Sequence, residues 1–165
     1  SSFNFPSLAS AGINITYKEH LFLPMPTAPL KVRKGFDRRI AVLKLFPGIT
    51  PTVVQSVVRT PDLQGLIIET FGSGNAPTAQ WLCDIISEAT ASGSVTVNVT
   101  QCRAGSVEMG HYEASVNLIK AGVISGHDMT LEAAVAKLMF LLGKYDAAED
   151  VKREMAMPLR GEMTI

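Results

Sequence analysis

From residue 39 onward, short apolar runs alternate with segments of helical periodicity, and this alternation restricts the chain to few folds. The runs span residues 40–46, 65–71 and 95–99, and each is followed by turn residues and then by apolar residues spaced three or four apart. Such alternation is typical of βα units around a parallel sheet. Val123 and Ile124 form a candidate fourth strand. The sequence therefore predicts an α/β fold, a Rossmann-like open parallel sheet of about four strands flanked by helices.

Helix start and stop residues bound the segments between the runs. Thr50 is a candidate N-cap, Pro51 follows it at the first helical position, and Gly122 is a natural stop. Thr130 can cap a strongly periodic helix. The predicted helices cover residues 51–59, about 81–89, 111–121, 131–142 and 147–155.

Residues 1–38 lack this alternation and are predicted to form a separate unit. The α/β domain is predicted to cover residues 39–165. Three prolines in the six residues 24–29 exclude a helix interior or a central strand, so this part is a linker. A short basic cluster follows, and its composition favours a solvated connecting segment over an anion site. The cluster comprises Lys31, Arg33, Lys34, Arg38 and Arg39.

Composition excludes several function classes. Fifteen basic and fifteen acidic residues give no net charge, which argues against nucleic-acid binding. No run approaches the roughly 18 apolar residues that a membrane span needs, and the first residues lack the pattern of a signal peptide. Cys83 and Cys102 have no Cys-x-x-Cys spacing and the three histidines have no metal-ligand spacing, so a reducing, cytoplasmic location without a metal is expected. The chain opens without Met in a loop-like sequence, as expected for part of a longer protein.

The predicted topology places three loops at one edge of the sheet. Parallel strands joined by right-handed crossovers end at the same edge, and open sheets of this kind bind ligands there. The loops are residues 47–50, 72–75 and 100–102.

The loop in the stretch TFGSGNAP, residues 70–77, does not match a nucleotide-binding pattern. Gly72 and Gly74 supply only the first two glycines of a dinucleotide fingerprint, and no acidic residue occupies positions 98–102. No Gly-Lys-Ser/Thr sequence exists for a phosphate loop, so no cofactor is predicted. The remaining edge residues are small and neutral, which suits a polar ligand of amide or amino-acid character. They are Ser73, Asn75, Thr100, Gln101 and Cys102.

Five stretches in this order carry a family resemblance: LFPGI, GSGNAP, VNVTQCRAG, AGVISGHDMT and EAAVAKLMFLLGK. Together they resemble the C-terminal domain of cytosolic type I L-asparaginases, and the match runs from about Phe3 to Glu162. The resemblance implies the small domain of a two-domain amidohydrolase that converts L-asparagine to L-aspartate and ammonia through a threonine nucleophile, without metal or cofactor. It also implies a homodimer or homotetramer, and it makes residues 1–38 the end of the large domain and its linker.

This sequence lacks the two segments that carry the family's catalytic threonines. They are of the types Thr-Gly-Gly-Thr and His-Gly-Thr-Asp-Thr. The resemblance therefore implies that no catalytic residue lies in this chain and that an N-terminal catalytic domain supplies the nucleophile. The chain alone is predicted to be inactive. A stand-alone or regulatory amino-acid-binding domain without catalysis remains the alternative.

The resemblance assigns roles to five residues. Asn75 and Tyr112 correspond to residues that reach the substrate of a neighbouring subunit; the alternatives are a turn-forming asparagine and a tyrosine on a helix face. Thr100 and Cys102 match an effector-binding loop, with Cys102 expected to be a buried structural thiol rather than a nucleophile. Glu69 stands where bacterial members carry an arginine for the effector carboxylate. This departure predicts an allosteric-type pocket in which strong asparagine allostery is lost or weakened.

Overall fold

The computed structural model describes residues 3–110 and 113–164. A small N-terminal hairpin precedes the α/β domain. Its elements are β1 (Ala9–Ala11), β2 (Ile15–Tyr17) and a 3-10 helix (Glu19–Leu21). The α/β domain contains β3 (Ile40–Lys44), α1 (Pro51–Val58), β4 (Gly65–Thr70), α2 (Gln80–Ala91), β5 (Val95–Thr100), α3 (Glu113–Lys120), β6 (Ile124–Ser125), α4 (Leu131–Leu142) and α5 (Ala148–Met155).

The predicted parallel sheet is confirmed. Its four strands lie in the order β3-β4-β5-β6, and every neighbouring pair is parallel. In the register, Gly65 lies between Ile40 of β3 and Val95 of β5. The carboxyl ends of β3, β4 and β5 therefore meet at one edge, as the chain order of the βα units requires.

Each face of the sheet has its own apolar core. Leu66 and Ile68 of β4 pack against α1, α2 and α3, whereas Ile67 between them packs with α4 and α5 on the other face. All three of these side chains are at most 1% exposed. Because side chains alternate along a strand and helices cover both faces of the sheet, the stretch GLII, residues 65–68, is apolar on both sides.

The two predicted N-caps, Thr50 and Thr130, lie directly before α1 and α4, and one of them differs in detail. The Thr130 side chain accepts a hydrogen bond from the Ala133 amide at 3.2 Å, as an N-cap should. Thr50 occupies the N-cap position of α1, but its side chain makes no capping hydrogen bond. Pro51 fixes the backbone of the first turn, so α1 begins without that hydrogen bond.

A buried lysine fastens the residues after α5 to α4. Lys137 Nζ donates to the carbonyl oxygens of Met155 at 3.0 Å and Met157 at 2.6 Å, and it lies 2.8 Å from Glu162 Oε1. The Glu162 carboxylate also accepts from the amides of Leu159 and Arg160. Burial alone would raise the pKa of Glu162, but Lys137 and these amides lower it to about 2. We call Lys137 and Glu162 the C-terminal clasp.

Candidate functional site

The loops after β3, β4 and β5 are bound to one another at the carboxyl edge of the sheet. Gln101 Nε2, directly after β5, donates to the carbonyl oxygens of Leu45 at 2.6 Å and Glu69 at 2.9 Å. One side chain therefore crosses two strands and joins the loop after β5 to the ends of β3 and β4. The predicted gathering of polar loops at this edge is present in the structure.

Residues 71–75 form a tight turn that is closed by main-chain hydrogen bonds. Phe71 and Asn75 exchange two main-chain hydrogen bonds of 2.8 Å, and the Gly74 amide donates to the Phe71 carbonyl at 3.1 Å. A phosphate cradle needs main-chain amides that are free to face a ligand. The amides of Gly74 and Asn75 are already engaged, which agrees with the incomplete glycine pattern.

Three carbonyl groups of this turn accept hydrogen bonds from the neighbouring strand and from the loop before α3. Thr100 Oγ1 donates to the Gly72 carbonyl at 2.5 Å, and the Glu108 amide donates to the Ser73 carbonyl at 2.9 Å. Asn98 Nδ2 donates to the Gly74 carbonyl at 3.2 Å. The turn is therefore held from outside along its whole length, and the position of Asn75 at its end is fixed.

Asn98 is a positioning residue that the sequence analysis missed. It is fully buried in β5, and its Oδ1 accepts from Thr70 Oγ1 at 2.6 Å while its Nδ2 supports Gly74. Both halves of the amide are thus used to join β4, β5 and the turn. The signal was available, because an asparagine inside the apolar run VTVNV needs buried hydrogen-bond partners.

Asn75 is half-buried at the end of this turn. Positive φ outside glycine occurs, among the described residues, at Asp62 and His127, so Asn75 is not there for a left-handed backbone. That removes one reason for reading it as a turn former. Tyr112, the other predicted substrate contact, lies outside the described residues.

The three predicted effector-pocket residues line one cavity of about 430 Å³ at the same edge. Glu69, Thr100 and Cys102 contribute to its wall, and Asn75 does not. The carboxyl edge thus carries two separate features, the Asn75 turn and the Glu69 cavity. The other lining residues are Phe3, Asn4, Gln101, Arg103, Asp128, Met129, Thr130, Leu131 and Glu132.

The charges around this cavity are mostly negative. Glu69 is 9% exposed and its carboxylate lies 3.8 Å from Lys44 Nζ on the neighbouring strand. Asp128 and Glu132 add two further carboxylates, and Arg103 is the cation in the wall. A ligand carboxylate placed beside Glu69 would therefore meet repulsion that Lys44 offsets only in part.

The prediction that Cys102 is a buried thiol is wrong, because Cys102 is exposed. β5 ends at Thr100, and the following residues bend across the surface, where the Cys102 amide donates to Thr100 Oγ1 at 3.0 Å. Cys83 in α2 is the buried cysteine, and burial raises the pKa of its thiol.

No group of three His, Cys, Asp or Glu side chains within residues 3–110 and 113–164 is placed to hold a metal ion. None of the helices described is long and apolar enough to cross a membrane.

A parallel sheet with interlocked polar loops and a cavity at its carboxyl edge places this chain among open α/β domains, a class in which ligands bind at that edge. Residues 39–155 match the model of the glutaminase/asparaginase C-terminal domain. The chain belongs to this family.

Three similar proteins support the same assignment. The chain is 38% identical over 161 residues to L-asparaginase 1 of Escherichia coli K12, a match that covers 98% of this chain and 47% of the relative. It is 41% identical over 163 residues to the human 60 kDa lysophospholipase, covering 98% of this chain and 28% of that protein. The structure of L-asparaginase I from Vibrio cholerae superposes with a TM-score of 0.92 at 42% identity, covering 100% of this chain and 50% of that one. The chain spans half or less of the length of these relatives, and the resemblance to type I asparaginases is confirmed.

Proposed function

We propose that this chain is the C-terminal domain of an L-asparaginase that hydrolyses L-asparagine to L-aspartate and ammonia. The observation that carries the proposal is the match over essentially the whole chain, in sequence and in fold, to proteins named L-asparaginase. The neutral polar turn that ends at Asn75 is compatible with an amide substrate.

In this proposal the chemistry is divided between two parts of the protein. A threonine hydroxyl in an N-terminal catalytic domain attacks the side-chain amide carbon, ammonia leaves, and water then releases aspartate from the acyl-enzyme. The chain described here supplies Asn75 and Tyr112 to the substrate region of a neighbouring subunit in a homodimer or homotetramer. The fixed turn supports this role because a substrate contact must be held in place. Free thiols at Cys83 and Cys102 are consistent with a cytoplasmic location.

Ammonia release from L-asparagine, measured on the full-length protein and on the 165-residue chain alone, tests the proposal. We expect turnover by the full-length protein and none by the chain alone, because an amide carbonyl needs an activated nucleophile. L-Glutamine in a parallel assay reports the substrate range. A full-length protein that folds but does not hydrolyse L-asparagine would contradict the proposal, as would turnover by the isolated chain.

We also propose that the Glu69 cavity is an effector pocket that no longer responds strongly to asparagine. Glu69 would lie near the carboxylate of the bound amino acid, and like charges in a partly desolvated site weaken binding. The full-length protein should therefore show hyperbolic kinetics with L-asparagine. Glu69→Arg should introduce cooperativity, with a coupling of about fivefold or more between effector and substrate.

Glu69→Gln is the matched control, because it removes the negative charge without adding a positive one. It should restore less cooperativity than Glu69→Arg. A strongly sigmoidal rate curve for the unmodified protein would show that Glu69 does not block the effector.

A further inference from the structure

Two buried polar side chains lie next to the Asn75 turn, one on β4 and one on β5. Asn98 is level with Ile68 in the register of these strands, so Thr70, two residues after Ile68, lies on the same face of the sheet. Thr70 and Asn98 are both 0% exposed. Neither side chain offers surface to another domain or subunit, so the contacts between them belong to this domain itself.

The Thr70 hydroxyl holds the Asn98 amide in the orientation that the turn needs. Thr70 Oγ1 donates to Asn98 Oδ1 at 2.6 Å, and Nδ2 of the same amide donates to the Gly74 carbonyl at 3.2 Å. The Gly74 carbonyl can only accept, so the amide must keep Nδ2 towards the turn and Oδ1 towards Thr70. Without the hydroxyl, Oδ1 would lose this donor inside the core, which favours rotation of the amide away from Gly74.

The support from Thr70 and Asn98 acts on one end of the turn. Thr100 Oγ1 and the Glu108 amide donate to the Gly72 and Ser73 carbonyls, and these hydrogen bonds do not involve Thr70. Asn75 directly follows Gly74, the residue that Asn98 holds. Loss of the Thr70 hydroxyl should therefore loosen the end of the turn that carries Asn75 and leave the other end in place.

We propose that Thr70 is a positioning residue for substrate binding. Its hydroxyl fixes the Asn98 amide, the amide fixes the Gly74 carbonyl, and Asn75 is thereby held in place against the substrate. The effect on substrate rests on the proposed function, in which Asn75 contacts L-asparagine. Thr70 is fully buried and reaches the reaction only through Asn98 and Asn75.

Thr96 offers a matched control two residues before Asn98 on the same face of β5. It is also 0% exposed, and its hydroxyl has no hydrogen-bond partner within residues 3–110 and 113–164. Replacing either threonine with valine removes one buried hydroxyl and keeps the β-branched shape. The two substitutions therefore differ in whether the hydroxyl that is removed supports Asn98.

A double-mutant cycle on the full-length protein, with L-asparagine as substrate, tests the positioning role. Thr70→Val should lower kcat/KM about threefold to tenfold, the value of one neutral hydrogen bond, and Thr70→Ser should recover most of this loss. In a protein that already carries Asn75→Ala, Thr70→Val should change kcat/KM by less than about twofold, because the contact that Thr70 positions is gone. Thr96→Val should leave kcat/KM unchanged in both backgrounds.

Hydrogen exchange of the peptide that contains residues 71–75 measures the same support without substrate. The Asn75 amide donates to the Phe71 carbonyl at 2.8 Å, and its exchange should be about threefold to tenfold faster in Thr70→Val than in Thr96→Val. Thr70→Cys, whose thiol is a weaker donor, takes the place of Thr70→Val in both measurements if the valine variant does not fold.

Two results would overturn the proposal. The first is a loss of kcat/KM in Thr70→Val that is equally large in the Asn75→Ala background, which would mark a general structural effect. The second is hydrogen exchange at the turn that Thr70→Val leaves unchanged. A full-length protein that folds but does not hydrolyse L-asparagine would instead refute the proposed function, and the exchange comparison would then decide by itself whether Thr70 holds the turn.

Discussion

Replacing Lys137 with alanine should lower the free energy of unfolding by about 3–5 kcal/mol, because removing one member of a buried ion pair leaves its partner uncompensated. Lys137 is 6% exposed, and its ammonium group holds the Glu162 carboxylate and the carbonyl groups of Met155 and Met157 at the end of α5. Without it the Glu162 carboxylate keeps its amide donors but loses its cation, and these carbonyl groups lose their donor. Denaturant unfolding of the full-length protein measures the effect.

Lys152→Ala is the matched control for this prediction. Lys152 pairs with Glu149 three residues earlier on α5, and the Glu149 side chain is 83% exposed. A surface pair of this kind contributes about 0.3–0.5 kcal/mol. Equal effects of the two substitutions would contradict the role assigned to the C-terminal clasp.

The clasp also has a pH signature. The pKa of Glu162 is lowered in the folded state from 4.5 to about 2. A depressed carboxyl pKa contributes stability that is present above the unfolded pKa and is lost as the pH falls towards the folded one. Stability should therefore decline between about pH 4.5 and pH 2, and Glu162→Gln should flatten this part of the profile.

Gly74→Ala in the full-length protein should lower kcat/KM for L-asparagine by up to about a hundredfold, the effect of misplacing a contact by about 1 Å. The Gly74 backbone has φ +105°, and a Cβ there would lie 2.8 Å from Val107 Cγ1 and 3.3 Å from Asn98 Nδ2. The turn must shift to relieve this contact. Asn75, the next residue, shifts with it.

Gly105→Ala is the control that separates the effect of the Cβ clash from the effect of a left-handed backbone. Gly105 has φ +108°, close to that of Gly74, but a Cβ there would meet nothing within 4 Å. Both variants carry the penalty of a left-handed alanine. Only Gly74→Ala should lose activity well beyond its loss of stability, and equal kinetics for the two variants would count against the role of the Asn75 turn.

The elements of the sheet were predictable because their patterns are local. Residues 65–68 are apolar on both faces, which indicates a strand covered by helices on both sides, and β4 (Gly65–Thr70) lies there. Thr130 capped α4 as predicted, because an N-cap needs only a neighbouring amide. Even the gathering of Thr100 and Glu69 at one cavity follows from strand order.

Contacts between distant segments were not predictable in the same way. Lys137 lies within a periodic helix, and nothing in its local sequence reveals that Glu162, 25 positions later, folds back to it. Cys102 was expected to be a buried structural thiol because it has no basic neighbour except Arg103, but the chain bends outward after Thr100. The burial of Asn98 could be predicted from its place in an apolar strand. Its hydrogen-bond partner could not, because the Gly74 carbonyl belongs to another loop.

The claim that this domain completes the active site of a neighbouring subunit is tested most directly by a mixed oligomer. Asn75→Ala in every subunit should lower kcat/KM about tenfold to a hundredfold, the value of a hydrogen bond to a charged substrate. In the hybrid, one subunit carries Asn75→Ala and the other lacks the nucleophilic threonine of the catalytic domain. If Asn75 acts across the interface, the intact nucleophile meets an unmodified Asn75, and the hybrid should turn over asparagine at the full rate per intact site. A hybrid that is as slow, per intact site, as the oligomer with Asn75→Ala in every subunit would contradict the claim that Asn75 acts across the interface.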